Sequence, residues 1–335
     1  MPAARTDLSL LMLVAVAVPV IAALAVLPRI VDLYQTELLI YGLTFAIAAL
    51  GFNLLLGYTG LLSFGHSAYF GTGAYTVAFI VRDLHVQSME LCILGGLLST
   101  LVISALFGYV CVRHTRIFFG ILTLALSQVL WSLAFKFFWV TGGSDGLRVP
   151  TPTLLAGTVK IGATAGQDKL DFLSHRYYFY VLAIFVICVA LMWVIVHSPF
   201  GKALQAVRDN ETRAEFVGVQ VWHYRWVAFL ISGVYTGLAG ALWVPLNGLT
   251  TPDILHWTFS GKIVFFTVLG GFQTFFGPIV GAVIYNYLET YAVGHTVYWQ
   301  MVLGIVLVVL VLALPAGIVG TVIRLAPRFR KASAT

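Results

Sequence analysis

Two stretches of this chain hold residues whose types and spacing could do chemistry. The first, Gly57 to Tyr75, reads GYTGLLSFGHSAYFGTGAY. Gly57, Gly60, Gly65, Gly71 and Gly73 are interleaved there with Thr59, Ser63, His66, Ser67 and Thr72, between long apolar runs. A lipid-facing helix has no need of so many glycines and hydroxyls. The pattern suits backbones that approach closely, or a helix broken beside a water-filled path. His66 is a lone histidine, and its type fits either a group in a path or gate or a satisfied packing contact. The second stretch, Ser198 to Tyr224, mixes Lys202, Arg208, Asp209, Asn210, Glu211, Arg213 and Glu215 with Ala203, Val207 and Ala214. Ser198-Pro199 reads as a helix start, with proline where its missing N–H costs least. Gly218 reads as the stop. Two short charged helices fit a docking surface for a soluble partner, or an amphipathic hairpin lying on the membrane.

Other chemistries leave no mark in the sequence. There is no G-x-x-x-x-G-K-[ST] phosphate loop, because Gly261-Lys262-Ile263 lacks both the hydroxyl and the upstream glycine frame. No H-E-x-x-H string or cysteine pair suggests a metal. Cys92, Cys111 and Cys188 lie inside apolar spans and give no disulfide framework. No cluster of catalytic polar groups marks one membrane face, so the chain reads as a non-enzyme without its own nucleotide site or cofactor.

The elements that must position these residues follow from composition. The chain has 335 residues, 60% hydrophobic and 10% charged, where a soluble protein carries about a quarter charged residues. It is expected to be an all-α, polytopic membrane helix bundle of one domain, 1–335, with glycine-broken helices. Ten spans are expected, near 8–27, 37–56, 60–81, 90–112, 117–140, 177–197, 225–246, 261–273, 277–293 and 297–315. The run at 8–27 has a signal-peptide-like Ala23-Leu24-Ala25, but twenty apolar residues fit a retained span better. The eighth span is too short for a full crossing and reads as a half-helix, or as one that begins earlier.

Charge sets the orientation. With both termini inside, Arg5, Arg113, Arg116, Lys202, Arg208, Arg213, Arg225, Arg324, Arg328, Arg330 and Lys331 fall on the cytoplasmic side. Arg29, Arg82, Arg148, Lys160, Lys169 and Arg176 fall outside. That is eleven against six, which supports N-in and C-in. The net charge of +6 is explained by those loops and calls for no nucleic acid. The loop 142–176 is then external, and is either a connector or a surface that meets an external partner or shapes the pathway entrance. The segment 198–224 is cytoplasmic. Lys136 and Lys262 are expected to snorkel to the outer interface. Glu289 is placed near the outer end of its span, so no mid-membrane acidic relay is evident.

A second glycine-rich break, Leu269 to Tyr285, holds Gly270, Gly271, Gly277, Pro278 and Gly281. Gly271-x-x-Thr274-Phe275 weakly echoes Gly60-x-x-Ser63-Phe64, as duplicated halves around one pathway would. The path or gate is accordingly expected at Gly57, Ser63, Gly65, His66, Gly73, Gly270, Gly271, Gly277 and Pro278. Pro245 to Asp253 reads as a polar turn after the seventh span.

Four blocks in order resemble one family, the LivM-type permease subunits of bacterial branched-chain amino acid ABC importers. They are Gly57–Tyr75, Thr141–Gly146, SPFGKALQAVRDNE at Ser198–Glu211, and Leu269–Ala282. The resemblance implies the bacterial cytoplasmic (inner) membrane and a heterodimer with a LivH-type permease. It also implies two cytoplasmic ATPases carrying ATP and Mg, and a periplasmic substrate-binding protein, with membrane lipid around the spans. It assigns coupling to the ATPases to Pro199, Lys202, Arg208, Asp209, Asn210, Glu211, Glu215 and Gly218. The wider importer signature E-A-A-x-x-x-G is not matched literally, since Glu211 precedes Gly218 by seven residues rather than six. Relatives of this kind also carry urea, short amides and aromatic or other carboxylic acids, which stand as alternative cargoes. A stand-alone secondary carrier or channel is the alternative of another class.

Overall fold

The computed structural model describes residues 19–114, 116–154, 169 and 171–325. The beginning of the first expected span, Arg5, residues 155–168 and 170 of the loop 142–176 (Lys160 among them) and the basic residues Arg328, Arg330 and Lys331 lie outside the described residues.

The described chain is a helix bundle. α1 is Pro19–Arg29, α2 Leu33–Asn53, α3 His66–Asp83, α4 Met89–Cys111, α5 Arg116–Lys136 and α6 Phe138–Thr141. α7 is Tyr178–His197, α8 Pro199–Asp209, α9 Glu211–Phe216 and α10 Val221–Asn247. α11 is Trp257–Gly270, α12 Gly277–His295, α13 Trp299–Ala313 and α14 Gly317–Leu325. Counting their continuations, six helical stretches are long and apolar enough to cross a membrane: Leu33–Thr59, Met89–Cys111, Ile117–Lys136, Phe172–His197, Val221–Asn247 and Trp299–Arg324. α3 is not among them, because glycine and hydroxyl side chains replace much of its apolar surface.

α2 is the axis of the bundle. From Leu38 to Asn53 every residue except Tyr41 is buried, which is the mark of a helix surrounded by others. α7, α10, α11 and α12 pack around it. α10 also packs on α3 and α4. Small residues set those separations: a Cβ on Gly240 would lie 1.9 Å from the Phe70 carbonyl oxygen, and one on Gly73 would lie 2.1 Å from that of Gly237. In a bilayer, close backbone approach supplies van der Waals contact that the hydrophobic effect cannot. α4, α5 and α13 form the outside and expose Leu94, Leu98, Phe118, Ile121, Val308 and Leu312, as apolar solvent allows.

α11 has 14 residues, about 21 Å at the helical rise. That falls short of a hydrocarbon core of about 30 Å. It begins at Trp257, four residues before the expected span, and the turn from Gly271 to Phe276 joins it to α12. Two boundaries differ from expectation. α10 continues through Pro245 to Asn247, because a proline near a helix end removes one N–H without stopping the chain, and the turn comes at Gly248, left-handed at φ 67°. The last expected span ends at Ala313, where Leu314-Pro315-Ala316 breaks it, and α14 follows.

The described part of loop 142–176 is folded onto its neighbours. Leu147–Arg148 (β1) pairs antiparallel with Leu249–Thr250 (β2), with Leu147 opposite Thr250. Thr153 exchanges backbone hydrogen bonds with the turn before α4, donating to Gln87 and accepting from Met89. This stretch is therefore no loose connector.

Candidate functional site

The helix pair begins as its sequence indicates. Ser198 is the N-cap of α8, its hydroxyl accepting from the Gly201 amide at 3.4 Å, and Pro199 occupies the first helical position. Asn210 ends α8 and caps α9, its Oδ1 accepting from the Arg213 amide at 2.9 Å. Gly218 closes α9 with φ 89°, a left-handed conformation that suits glycine. The apolar stripe of α8, Gly201, Leu204 and Val207, faces inward. Val207 joins Ala214 and Val221 in a small cluster that holds α8, α9 and the root of α10 together. Lys202, Asp209 and Glu215 are exposed. So are Phe216 and Val217 at the tip, at 87% and 75%.

Two arginines fix the pair to the bundle. Arg225, on the second turn of α10, is 6% exposed. Its Nη1 and Nη2 donate to Oε1 and Oε2 of Glu211 at 2.7 and 2.8 Å, a bidentate pair. Arg208 points the other way. Its Nη1 donates to the Gly57 carbonyl at 2.5 Å, while Nε and Nη2 rest on Asp209 Oδ1 at 3.2 and 3.1 Å.

Gly57 belongs to the first break. α2 does not end cleanly. It widens into a π-turn, Leu54–Thr59, and stops at Gly60, left-handed at φ 73°. The Leu55 carbonyl accepts from the Leu61 amide and, at 2.5 Å, from the Thr59 hydroxyl. The chain then runs without helix to His66, where α3 begins. Ser63 accepts from the Gly65 amide at 3.2 Å. A Cβ on Gly65 would meet the Thr123 carbonyl at 2.6 Å, so the break lies flat on α5.

His66 is fully buried and bonded at both ring nitrogens, Nδ1 to Ser63 Oγ at 3.1 Å and Nε2 to Ser232 Oγ at 2.7 Å. Phe52 and Tyr69 meet its ring edge to face. In this conformation His66 is a satisfied contact between α3 and α10. Next to it, Ser67 and Ser260 link α3 to α11, through a backbone amide at 2.8 Å and a hydroxyl pair at 2.9 Å. Gly73 lies further along α3, against Gly237, and does not join the break.

The second break spans Gly271 to Phe276. Gly270, Gly277 and Gly281 allow α11 and α12 to touch backbone to backbone, and a Cβ on Gly281 would lie 1.9 Å from the Phe266 carbonyl. Pro278 stands in the first turn of α12, and Thr274 accepts from the Gly277 amide at 3.1 Å. Gly271, at φ 107°, abuts Ala316, in the interruption between α13 and α14, and Gly317, which opens α14.

The two breaks meet. A Cβ on Gly57 would lie 2.4 Å from the Phe272 carbonyl oxygen, and Asn53 Nδ2 reaches the Thr274 carbonyl at 3.5 Å. Arg208, Gly57 and the second break thus form one junction below α2. Sequence reasoning named Arg208, Gly57, Gly270 and Gly271. It did not name Asn53, Phe272 or Gly317, and it gave Thr274 and Arg225 no part in the site. Asn53 carried a legible signal, a lone amide in an apolar run.

Elsewhere, Lys262 of α11 is paired with Glu289 of α12, and its ammonium lies 5.9 Å from the centre of the Trp299 ring. Lys262 is therefore not simply snorkelling: a carboxylate one helix away satisfies the charge where it stands. An open groove of about 390 Å³ lies along α3, α4 and α5, lined by Thr72, Thr76, Phe79, Leu130, Leu133 and Thr141 among others. Its walls are mainly apolar. The Thr72 and Thr76 hydroxyls already donate to helix carbonyls one turn back. Among the described residues no group of three or more His, Cys, Asp or Glu is placed to hold a metal.

Residues 34–312 match the family model described as branched-chain amino acid transport system / permease component. The chain is 24% identical over 288 residues to the high-affinity branched-chain amino acid transport system permease protein LivM of Escherichia coli K12, covering 82% of this chain and 67% of that one. It is 23% identical over 293 residues to the LivH permease of the same organism, covering 83% and 92%. A probable LivM from Methanocaldococcus jannaschii is 23% identical, covering 86% and 94%. No solved structure matches the chain. The apolar helices make this a multi-pass membrane protein. With the family model spanning 34–312, the chain belongs to the permease component family of branched-chain amino acid transport systems, and it is a permease subunit of an ABC importer.

Proposed function

We propose that this permease moves branched-chain amino acids inward by alternating access. On this reading it lies N-in and C-in with ten spans in a bacterial inner membrane, paired with a LivH-type permease. Two ATPases dock on 198–224, and a periplasmic binding protein docks on the external side that includes the loop 142–176. Pro199, Lys202, Arg208, Asp209, Asn210, Glu211, Glu215 and Gly218 form or position the coupling surface. The glycine-rich breaks form the gate.

One observation carries the reading: the charged helix pair is bonded, through Arg208, to the junction where both broken helices meet. That bond gives the pair a direct link to the broken helices. The exposed Lys202, Asp209 and Glu215 suit a soluble partner of mixed charge. The groove's apolar walls, aliphatic and aromatic, and scattered hydroxyls suit a small solute with an apolar tail. The binding protein selects the ligand before it arrives, so urea, short amides or carboxylic acids remain cargoes of the same mechanism. The test is reconstitution. Proteoliposomes holding both permeases, both ATPases and the binding protein should import leucine, isoleucine or valine only with ATP. The chain alone should be inert. Ion-gradient-driven flux from the chain alone would establish the secondary-carrier reading instead.

A further inference from the structure

The junction beneath α2 has a geometry that docking alone does not require. α2 ends in a π-turn, and the last carbonyls of such a turn lack partners within the helix. The Gly57 carbonyl is one of them, and it is satisfied from far away in sequence, by Arg208 Nη1 at 2.5 Å. The guanidinium also places positive charge at a helix C-terminus, where the helix dipole favours it. Its remaining donors rest on Asp209, so the planar fork is held in one orientation. The Arg208 stem lies over Gly60, with Cγ 3.0 Å from where a Cβ would stand, leaving no slack between α8 and the break. On its other side Gly57 touches the Phe272 carbonyl, and Asn53 one turn earlier holds Thr274. One peptide unit is therefore gripped by α8 from below and by the second break from the side.

We propose that Arg208 is a positioning residue that delivers movement of α8 to both glycine-rich breaks through the Gly57 carbonyl. The proposal rests on the coupling role of 198–224. A π-turn suits this use because it holds an extra residue and can tighten towards α-helical register when its carbonyl is released. The glycines on both sides leave no side chain in the way. Arg208 then acts on the gate and not on ATPase docking, because its guanidinium faces the bundle while Lys202 and Glu215 face outward.

The test uses the complete importer in proteoliposomes, with Arg208→Ala and Arg208→Lys compared with the parent. Spin labels are placed at Ala206 on α8 and Gln273 in the second break, both exposed. In the parent, the Ala206–Gln273 distance should stay fixed between the nucleotide-free and ATP-bound states. In Arg208→Ala it should widen on ATP binding. ATP hydrolysed per solute imported should rise about tenfold, an ordinary size for coupling between two sites, while the ATPases stay bound. Arg208→Lys retains the charge but loses the fork and should fall between the two. If Arg208→Ala fails to assemble, the Arg208→Lys distance and ratio decide. A ratio within twofold of the parent and an invariant distance would overturn the proposal while leaving coupling at 198–224 intact. Failure of the parent itself to retain ATPases would instead overturn the coupling reading.

Discussion

Removing the Glu211 carboxylate tests how α9 is held. The Arg225 side chain is 7% exposed and Glu211 is 41% exposed, and two charge-assisted bonds join them. Stripping the partner from a fully buried charge costs about 3–5 kcal/mol. Glu211 faces water on one side, so solvent can partly refill the site, and the cost in Glu211→Ala falls to about 2 kcal/mol, in the range of a hydrogen bond to a charged group. Arg225 Nε already has no hydrogen-bond partner among the described residues, so little in the site can compensate. Beyond this pair, α9 is held mainly by the Asn210 cap and the small Val207, Ala214 and Val221 cluster. The loss should therefore appear as local opening of α9 rather than global unfolding. About 2 kcal/mol is a factor of about thirty in that equilibrium. Hydrogen exchange reads it directly: the amides of Ala214, Val217 and Val219, bonded to Asn210, Arg213 and Ala214, should lose about thirtyfold protection, while the middle of α10 keeps its own. A double-mutant cycle with Arg225→Ala should return a coupling of about 1.5–2 kcal/mol. Unchanged protection at those three amides, or additive single mutants, would refute the clamp.

Two further outcomes follow from packing. Gly240→Ala places a methyl group 1.9 Å from the Phe70 carbonyl, whereas a Cβ on Gly261 meets nothing within 4 Å. The first should cost about 1–3 kcal/mol by overpacking and lower the unfolding temperature, with Gly261→Ala near neutral in the same thermal assay. For Lys262 and Glu289, with side chains 32% and 15% exposed, Glu289→Leu alone should destabilise α11 against α12, and adding Lys262→Met should recover most of the loss. A double variant no more stable than Glu289→Leu in thermal unfolding would remove the ion pair as a structural element.

Much of the site was legible because it is built from local rules. Ser198-Pro199 and Gly218 mark a helix start and stop through chemistry that acts within one turn. Clustered glycines mark places where a continuous lipid-facing helix is disfavoured, and Leu54–Gly60 and Gly271–Phe276 are where α2 and α11 stop. Boundaries were less legible. Pro245 was counted with the polar turn that follows the seventh span, yet α10 runs through it to Asn247, giving up one N–H···O bond of the ladder. The charge of Lys262 was assigned to the interface because a sequence window cannot see Glu289 across a neighbouring helix.

The sequence alone determined that this chain crosses a membrane repeatedly, that its helices break at two glycine-rich places, and that a charged helix pair interrupts the spans. Those properties follow from apolar run length, backbone freedom and local capping, which depend on near neighbours along the chain. Only the tertiary structure decided that Arg208 reaches Gly57, that Gly57 rests on Phe272, and that Glu211 neutralises Arg225. Each of those contacts depends on how α2, α8, α10 and α11 pack, and close backbone packing across glycines leaves no periodic trace from which a partner could be read.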